Sequence, residues 1–222
     1  MHIRKGFPLL IALFFLFCLP SFGKTCVVYL SWPSLGRDLV EKEVEVNALI
    51  AEAEAEKTGL PFYRLSGLRE VEVLGKGCSN LYLFLAGHSD EELIGPYSPE
   101  EIRETLSKVR EKGTRIPLLV FDTCYWGEVY RLRYFSFPET VVVGSVGEEL
   151  HYGLKGLYRN LAELVRLRGK DLSEKVLSLF GNYYYPLYSS RGKELKEAGF
   201  RCQTVRTYYR GVVLSQSVCF DR

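Results

Sequence analysis

Two side chains in this 222-residue sequence have the types and the placing for covalent chemistry. They are the thiol of Cys124, in LLVFDTCYWGE, and the imidazole of His88, in LYLFLAGHSD. A thiolate attacks acyl carbons readily, but an ordinary cysteine ionises only near pH 8.5. An imidazole close by helps to ionise it, or later protonates a leaving amine. After residue 23 the only histidines are His88 and His151, so a base near Cys124 has few candidates.

Whether the pair can meet depends on the elements that carry it. The apolar runs CVVYLSW (26–32), LYLFLAG (81–87), IPLLVF (116–121) and TVVVGSV (140–146) read as strands buried on both faces, as parallel strands are. A shorter strand is expected around 69–74. Between them, 39–58 reads as a helix with Val40, Val44, Ala48, Ala51 and Ala55 on one stripe, stopping at Gly59 before Pro61. Ser98-Pro99-Glu100-Glu101 supplies an N-cap, a first-turn proline and a capping-box glutamate for a helix over 99–112. Later helices are expected around Leu154, Leu157, Leu161 and Leu164, and over Asp171–Phe180, followed by a tyrosine-rich loop at 183–188 and a terminal hairpin. This alternation predicts a single α/β domain over 24–222, an open, mostly parallel sheet flanked by helices. Strand, helix and strand over 81–121 form one βαβ unit, so its strands run parallel. His88 and Cys124 then lie just past the carboxyl ends of neighbouring strands, the edge where such sheets place their crevice.

The first 23 residues have Arg4 and Lys5, then the run PLLIALFFLFCLP, then Ser21-Phe22-Gly23. That is the pattern of a secretory signal peptide, with cleavage expected after Gly23, and so of a secreted or periplasmic protein with no membrane contact once cleaved. Its apolar core, about 13 residues, is short of the roughly 20 that span a bilayer. Without Arg4 and Lys5, 27 basic residues face 27 acidic ones, so no basic excess points to nucleic acid. With 47% hydrophobic and 25% charged residues, the chain has the composition of a folded globular protein.

Five cysteines remain after residue 23, and an oxidising compartment can pair four. In the hairpin CQTVRTYYRGVVLSQSVC, a turn at Arg210-Gly211 sets 209 against 212 and therefore 202 against 219. Counted outward, that pair falls at a non-hydrogen-bonded site, where Cα atoms lie about 4.5 Å apart, close enough for a disulfide. Cys202–Cys219 is the expected bridge. Cys26 with Cys78, each near a strand start, is the second, and Cys124 keeps its thiol.

Taken with their strands, the two motifs resemble those of the caspase-like cysteine peptidases, a superfamily that includes metacaspases, clostripain, gingipains and legumains. LYLFLAGHSD is similar to their apolar strand ending in Ala-Gly-His-Gly, and LLVFDTCYWGE to their strand ending in Asp-x-Cys-x-x-Gly. The resemblance covers about residues 25–165. It implies Cys124 as nucleophile, His88 as general acid and base, and the amides of Ser89 and Cys124 as oxyanion donors. It implies further that Asp122 forms an acidic wall of the specificity pocket, favouring cleavage after Arg or Lys, with Ser145 and Glu148 on the pocket's other side. Peptides or proteins would be the substrates, and no metal or other cofactor is implied.

Two residues depart from that pattern. Ser89 stands where relatives carry glycine, and Trp126 replaces a small residue, where it could narrow the pocket or stack on a substrate. They motivate one alternative, an inactive binding protein on the same scaffold. Within the resemblance the other alternative is a legumain-like enzyme directed to Asn or Asp, or a transamidase, which shares the dyad but not the basic preference. Arg131 and Arg133, just after the cysteine, are basic residues at which self-cleavage could occur.

Overall fold

The computed structural model describes residues 23–32, 39–147, 154–180 and 201–220. Seven strands form one sheet: β1 (Thr25–Ser31), β2 (Phe62–Leu65), β3 (Asn80–Ala86), β4 (Arg115–Asp122), β5 (Val141–Val146), β6 (Arg201–Tyr209) and β7 (Val212–Phe220). Their order is β2-β1-β3-β4-β5-β6-β7, with the first five parallel and the last two antiparallel. The parallel part of the sheet thus runs 2-1-3-4-5, and the terminal hairpin is added at the β5 edge.

Helices cover both faces. On one lie α1 (Leu39–Thr58), the short α5 (Lys155–Tyr158) and α6 (Leu161–Leu164), and α7 (Gly169–Leu179). On the other lie α2 (Leu68–Gly75), α3 (Pro99–Glu111) and the short α4 (Val129–Tyr134). Alternate residues of each strand supply the two cores: Tyr82, Phe84, Val120 and Val143 face the first group, Leu83, Leu85, Leu119 and Phe121 the second. This is why the strands are apolar without alternation.

The α1 stripe is buried at Val44, Ala48, Ala51 and Ala55, the small residues letting the helix approach the sheet. At α3 the cap works in both directions: Ser98 Oγ accepts from the Glu101 amide at 3.2 Å, and Glu101 Oε2 from the Ser98 amide at 2.8 Å. Leu154, Leu157, Leu161 and Leu164 are all buried, though the helix expected there breaks in two around Arg159 and Asn160.

One element differs from expectation. Residues 69–74 are not a strand; they lie in α2, and the second strand is Phe62–Leu65. The Glu-Val-Glu-Val alternation fits a strand, but Glu70 turns back to accept from the Ser66 and Gly67 amides at 3.2 and 2.8 Å, satisfying a helix start. Helical spacing then buries Leu68, Val71 and Gly75 and leaves Val73 69% exposed.

Cys26 and Cys78 form a disulfide joining the start of β1 to the loop before β3. In the terminal hairpin Tyr209 pairs with Val212 and Cys202 with Cys219, the register expected from the turn. Arg210 and Gly211 both take positive φ, 47° and 87°, as a two-residue hairpin turn of this hand requires. The Cys202 and Cys219 side chains lie outside the described part, as do residues 1–22, Glu148, His151 and the 183–188 loop. No helix among the described residues is long and apolar enough to cross a membrane.

Candidate active site

The β3–β4 register pairs Ala86 with Asp122, so His88 and Cys124 stand two residues beyond matched positions at the carboxyl edge of adjacent strands. Strands are about 4.8 Å apart, so the two loops leave the sheet side by side. His88 is exposed and Cys124, which keeps its thiol, is half-buried. The loops are bound to each other. The Gly87 amide donates to Asp122 O at 3.2 Å, and Ser89 Oγ donates to Cys124 O at 2.6 Å. The residue that departs from the family pattern is therefore one of the ties. The Ser89 amide itself donates to no described group.

The backbone around the thiol is held in an unusual shape. Tyr125 has φ 65°, a left-handed conformation uncommon outside glycine. Its amide donates to Gly147 O at 2.7 Å, and the Gly127 amide to Ser145 O at 2.6 Å, fastening the loop to the end of β5. Gly144 makes this approach possible, since a Cβ there would sit 2.4 Å from Trp126 O. Arg131 completes the clamp. Its Nη1 donates to Tyr125 O at 2.5 Å and its Nη2 to Glu91 O at 2.9 Å, with its guanidinium 4.9 Å from the Trp126 ring. One side chain thus grips the cysteine loop and the histidine loop together.

Asp90 shapes the histidine loop: Oδ1 accepts from the Glu92 and Leu93 amides, each at 2.7 Å. Those amides, Leu93's first, hold the carboxyl below its ordinary pKa. Trp32 Nε1 donates to His88 O at 2.8 Å from the other side. Trp32 lies against Gly87, where a Cβ would come within 2.5 Å of the indole.

The remaining sequence-derived residues fall in different places. Asp122 lies on the α1 face of the sheet, 0% exposed, and its Oδ2 gathers Tyr158 Oη at 2.7 Å, Asn47 Nδ2 at 3.3 Å and Tyr29 Oη at 3.4 Å. Burial, and then the Asp122 charge, hold the Tyr29 hydroxyl well above the usual tyrosine pKa, so it stays a donor. Ser145 is on the same face by strand parity and is buried. Trp126 is on the opposite face. It is 3% exposed, packs with Phe121 and Phe135, and donates from Nε1 to Asp90 O at 3.0 Å. Its ring is part of the core on that face. Arg131, read as a point of self-cleavage, is 8% exposed within α4, so cutting after it would require that helix to unfold.

An open cleft of about 250 Å³ lies beside His88, lined by Ser31, Trp32, Glu41, Glu45, Arg64 and Gly87 among others. It sits between the ends of β1 and β3, where the strand order reverses, the usual binding crevice of such sheets. Glu45 pairs with Arg64 across it. Among the described residues no group of three His, Cys, Asp or Glu side chains could hold a metal ion.

Sequence reading missed Tyr29, Asn47 and Tyr158 around Asp122, because only the fold brings three elements to one carboxyl. Asp90 was findable: Asp two and three residues ahead of amides in a loop is a recurrent turn device.

No family model matches this chain, nor does any curated protein. Solved structures do match. A secreted C11 cysteine protease of Bacteroides thetaiotaomicron, "iotapain", superposes with a TM-score of 0.54 at 12% identity, over 83% of this chain and 66% of that one. The same kind of protease in complex with an irreversible peptide inhibitor gives 0.53 at 12%, over 82% and 66%. An inactive zymogen C11 protease from Parabacteroides distasonis gives 0.53 at 14%, over 82% and 61%. This chain therefore spans slightly under two thirds of the length of these structures and shares their fold, the caspase-like α/β sheet.

Proposed function

We propose that the chain is a secreted or periplasmic cysteine endopeptidase, exported by its first 23 residues, that cleaves after Arg or Lys through Cys124 and His88. The observation that carries this reading is the matched placing of the two residues at the sheet edge, with their loops joined by Ser89 Oγ and Arg131. In this mechanism the Cys124 thiolate bonds to the scissile carbonyl carbon, and the amides of Ser89 and Cys124 receive the oxyanion. His88 gives its proton to the amine nitrogen as the C–N bond breaks. A water then attacks the thioester, His88 takes its proton, and the thiolate is released.

Asp122 supplies the charge that selects a basic side chain. Its neighbours on Oδ2 are neutral hydroxyls and an amide, and Ser145 lies beside it on the same face. The resemblance adds Glu148, which follows β5 in sequence, as a second acid. Glu41 adds a further acidic group to the cleft beside His88, where Glu45 is paired with Arg64. Peptides and proteins are the substrates.

The full burial of Asp122 favours a second reading, in which the basic pocket is closed and the chain is directed to Asn or Asp, or only binds peptides. Fluorogenic peptides varied among Arg, Lys, Asn and Asp before the scissile bond separate these under mild reduction. Cleavage after Arg and Lys that weakens in Asp122→Ala supports the first. Cleavage after Asn or Asp, unaffected by Asp122→Ala, overturns the basic preference.

A further inference from the structure

We infer that the chain carries a second site, independent of the first: a cavity at the amino-terminal edge of the sheet that binds a phosphate or sulfate group. The cavity holds about 200 Å³ and is lined by Arg115, Pro117, Glu139, Arg168, Gly169, Tyr209 and Arg210. A smaller one of about 100 Å³ adjoins it, sharing Arg115 and Glu139 and adding Arg110. Three arginines and one glutamate therefore line the main cavity, in a chain whose composition is otherwise nearly balanced.

Two of these guanidinium groups are fixed without being neutralised. Arg168 uses Nη1 alone to meet Tyr82 Oη at 2.5 Å, Leu167 O at 2.6 Å and Val165 O at 2.7 Å. Arg210 uses Nε for Pro138 O at 2.8 Å and lies against the Tyr209 ring. The partners are carbonyls and a hydroxyl, which orient the fork but leave its charge and its other N–H groups for a ligand. Arg115, at the first position of β4, donates from its side chain to no described group, and Glu139 forms no ion pair with any of the three. Burial pushes the Tyr82 hydroxyl up to about 12 even with Arg168 and Arg115 pulling it down, so it stays protonated beside them. Planar forks on residues around one small space match a tetrahedral oxyanion, whose oxygens accept paired N–H donors.

Calorimetric titration of the full chain with inorganic phosphate, inorganic sulfate and glycerol 2-phosphate, at constant ionic strength set with chloride, tests this. Saturable binding of at least one oxyanion at one site per chain is expected. Binding of the free ions alone defines a free-ion site; binding of the ester as well defines a headgroup site. Replacing Arg115 by Gln and Arg210 by Asn, which tolerates the positive φ of the turn, weakens binding by at least about tenfold per guanidinium. Glu139→Gln tightens it, an outcome that misfolding cannot imitate, and Arg166→Gln, an exposed arginine outside the cavity, leaves it unchanged. No saturable binding, or equal binding by wild type and the Arg115/Arg210 variant, overturns the inference.

Discussion

Ser89 Oγ lies 2.6 Å from the carbonyl oxygen of Cys124, so the residue after the histidine is hydrogen-bonded to the backbone of the cysteine. A glycine at 89 would leave that carbonyl to other partners. The bond joins two loops that are also tied at their bases, where Gly87 donates to Asp122 O, and further out, where Trp126 Nε1 donates to Asp90 O. Serine here is a replacement that adds a connection.

Removing that hydroxyl has a defined consequence. Ser89→Ala loses one partly buried hydrogen bond, worth roughly 1 kcal/mol of stability. It lowers kcat more than it changes KM, because loop spacing matters at the bond-breaking step. Melting temperature and steady-state kinetics on the preferred peptide check both parts.

Arg131 is the larger support. Its two donors meet carbonyls of different loops from a buried position, and Arg131→Met removes both, costing roughly 3 kcal/mol. Arg131→Lys retains the charge but presents no planar fork, so it recovers only part of the stability and of kcat. Urea unfolding of the three proteins gives the comparison, and full rescue by lysine would refute the bidentate role.

The pH dependence of the histidine loop follows from Asp90. Its folded pKa is depressed by the Leu93 and Glu92 amides, so the stabilisation is present above the unfolded value, near 3.9, and is lost as pH falls through the lower folded value. Hydrogen exchange at Glu92 and Leu93 should be slower in wild type than in Asp90→Ala at pH 6, and the difference should shrink steadily below pH 4.

The Cys26–Cys78 bridge spans 52 residues and holds β1 to the loop before β3. By chain entropy, removing it in Cys26→Ser/Cys78→Ser costs about 4 kcal/mol. Peptide mapping without reductant should return this bridge, a Cys202–Cys219 bridge, and Cys124 as the residue that reacts with a thiol reagent. Cys124 in a disulfide would remove the nucleophile.

The sequence showed most of what local pattern controls. Continuous apolar runs located β1, β3, β4 and β5, the Ser98–Glu101 box located α3, and counting from Arg210-Gly211 set the hairpin register. It misled where two periods compete, as at 69–74, where the Glu70 cap and the burial of Val71 outweighed an alternating pattern. It left the placing of Trp126 and Arg131 open, because a side chain two or seven residues past a cysteine can turn to either face of the sheet. Only the fold decides that Trp126 and Arg131 join the Phe121 face while Asp122 joins Tyr29, Asn47 and Tyr158 on the other. Three-element clusters such as that around Asp122 leave no trace in spacing along the chain.

The most direct test of the central claim is covalent capture. The chain is treated with peptidyl chloromethyl ketones ending in Arg or in Asn, and the adduct is located by peptide mapping. The account predicts one adduct per chain, on Cys124, formed faster with the Arg reagent and far faster than with iodoacetamide. It predicts none in Cys124→Ala and a rate lowered by about 10²–10⁴ in His88→Ala. An adduct elsewhere, or Cys124 reacting no faster with either peptide than with iodoacetamide in the folded protein, would contradict it.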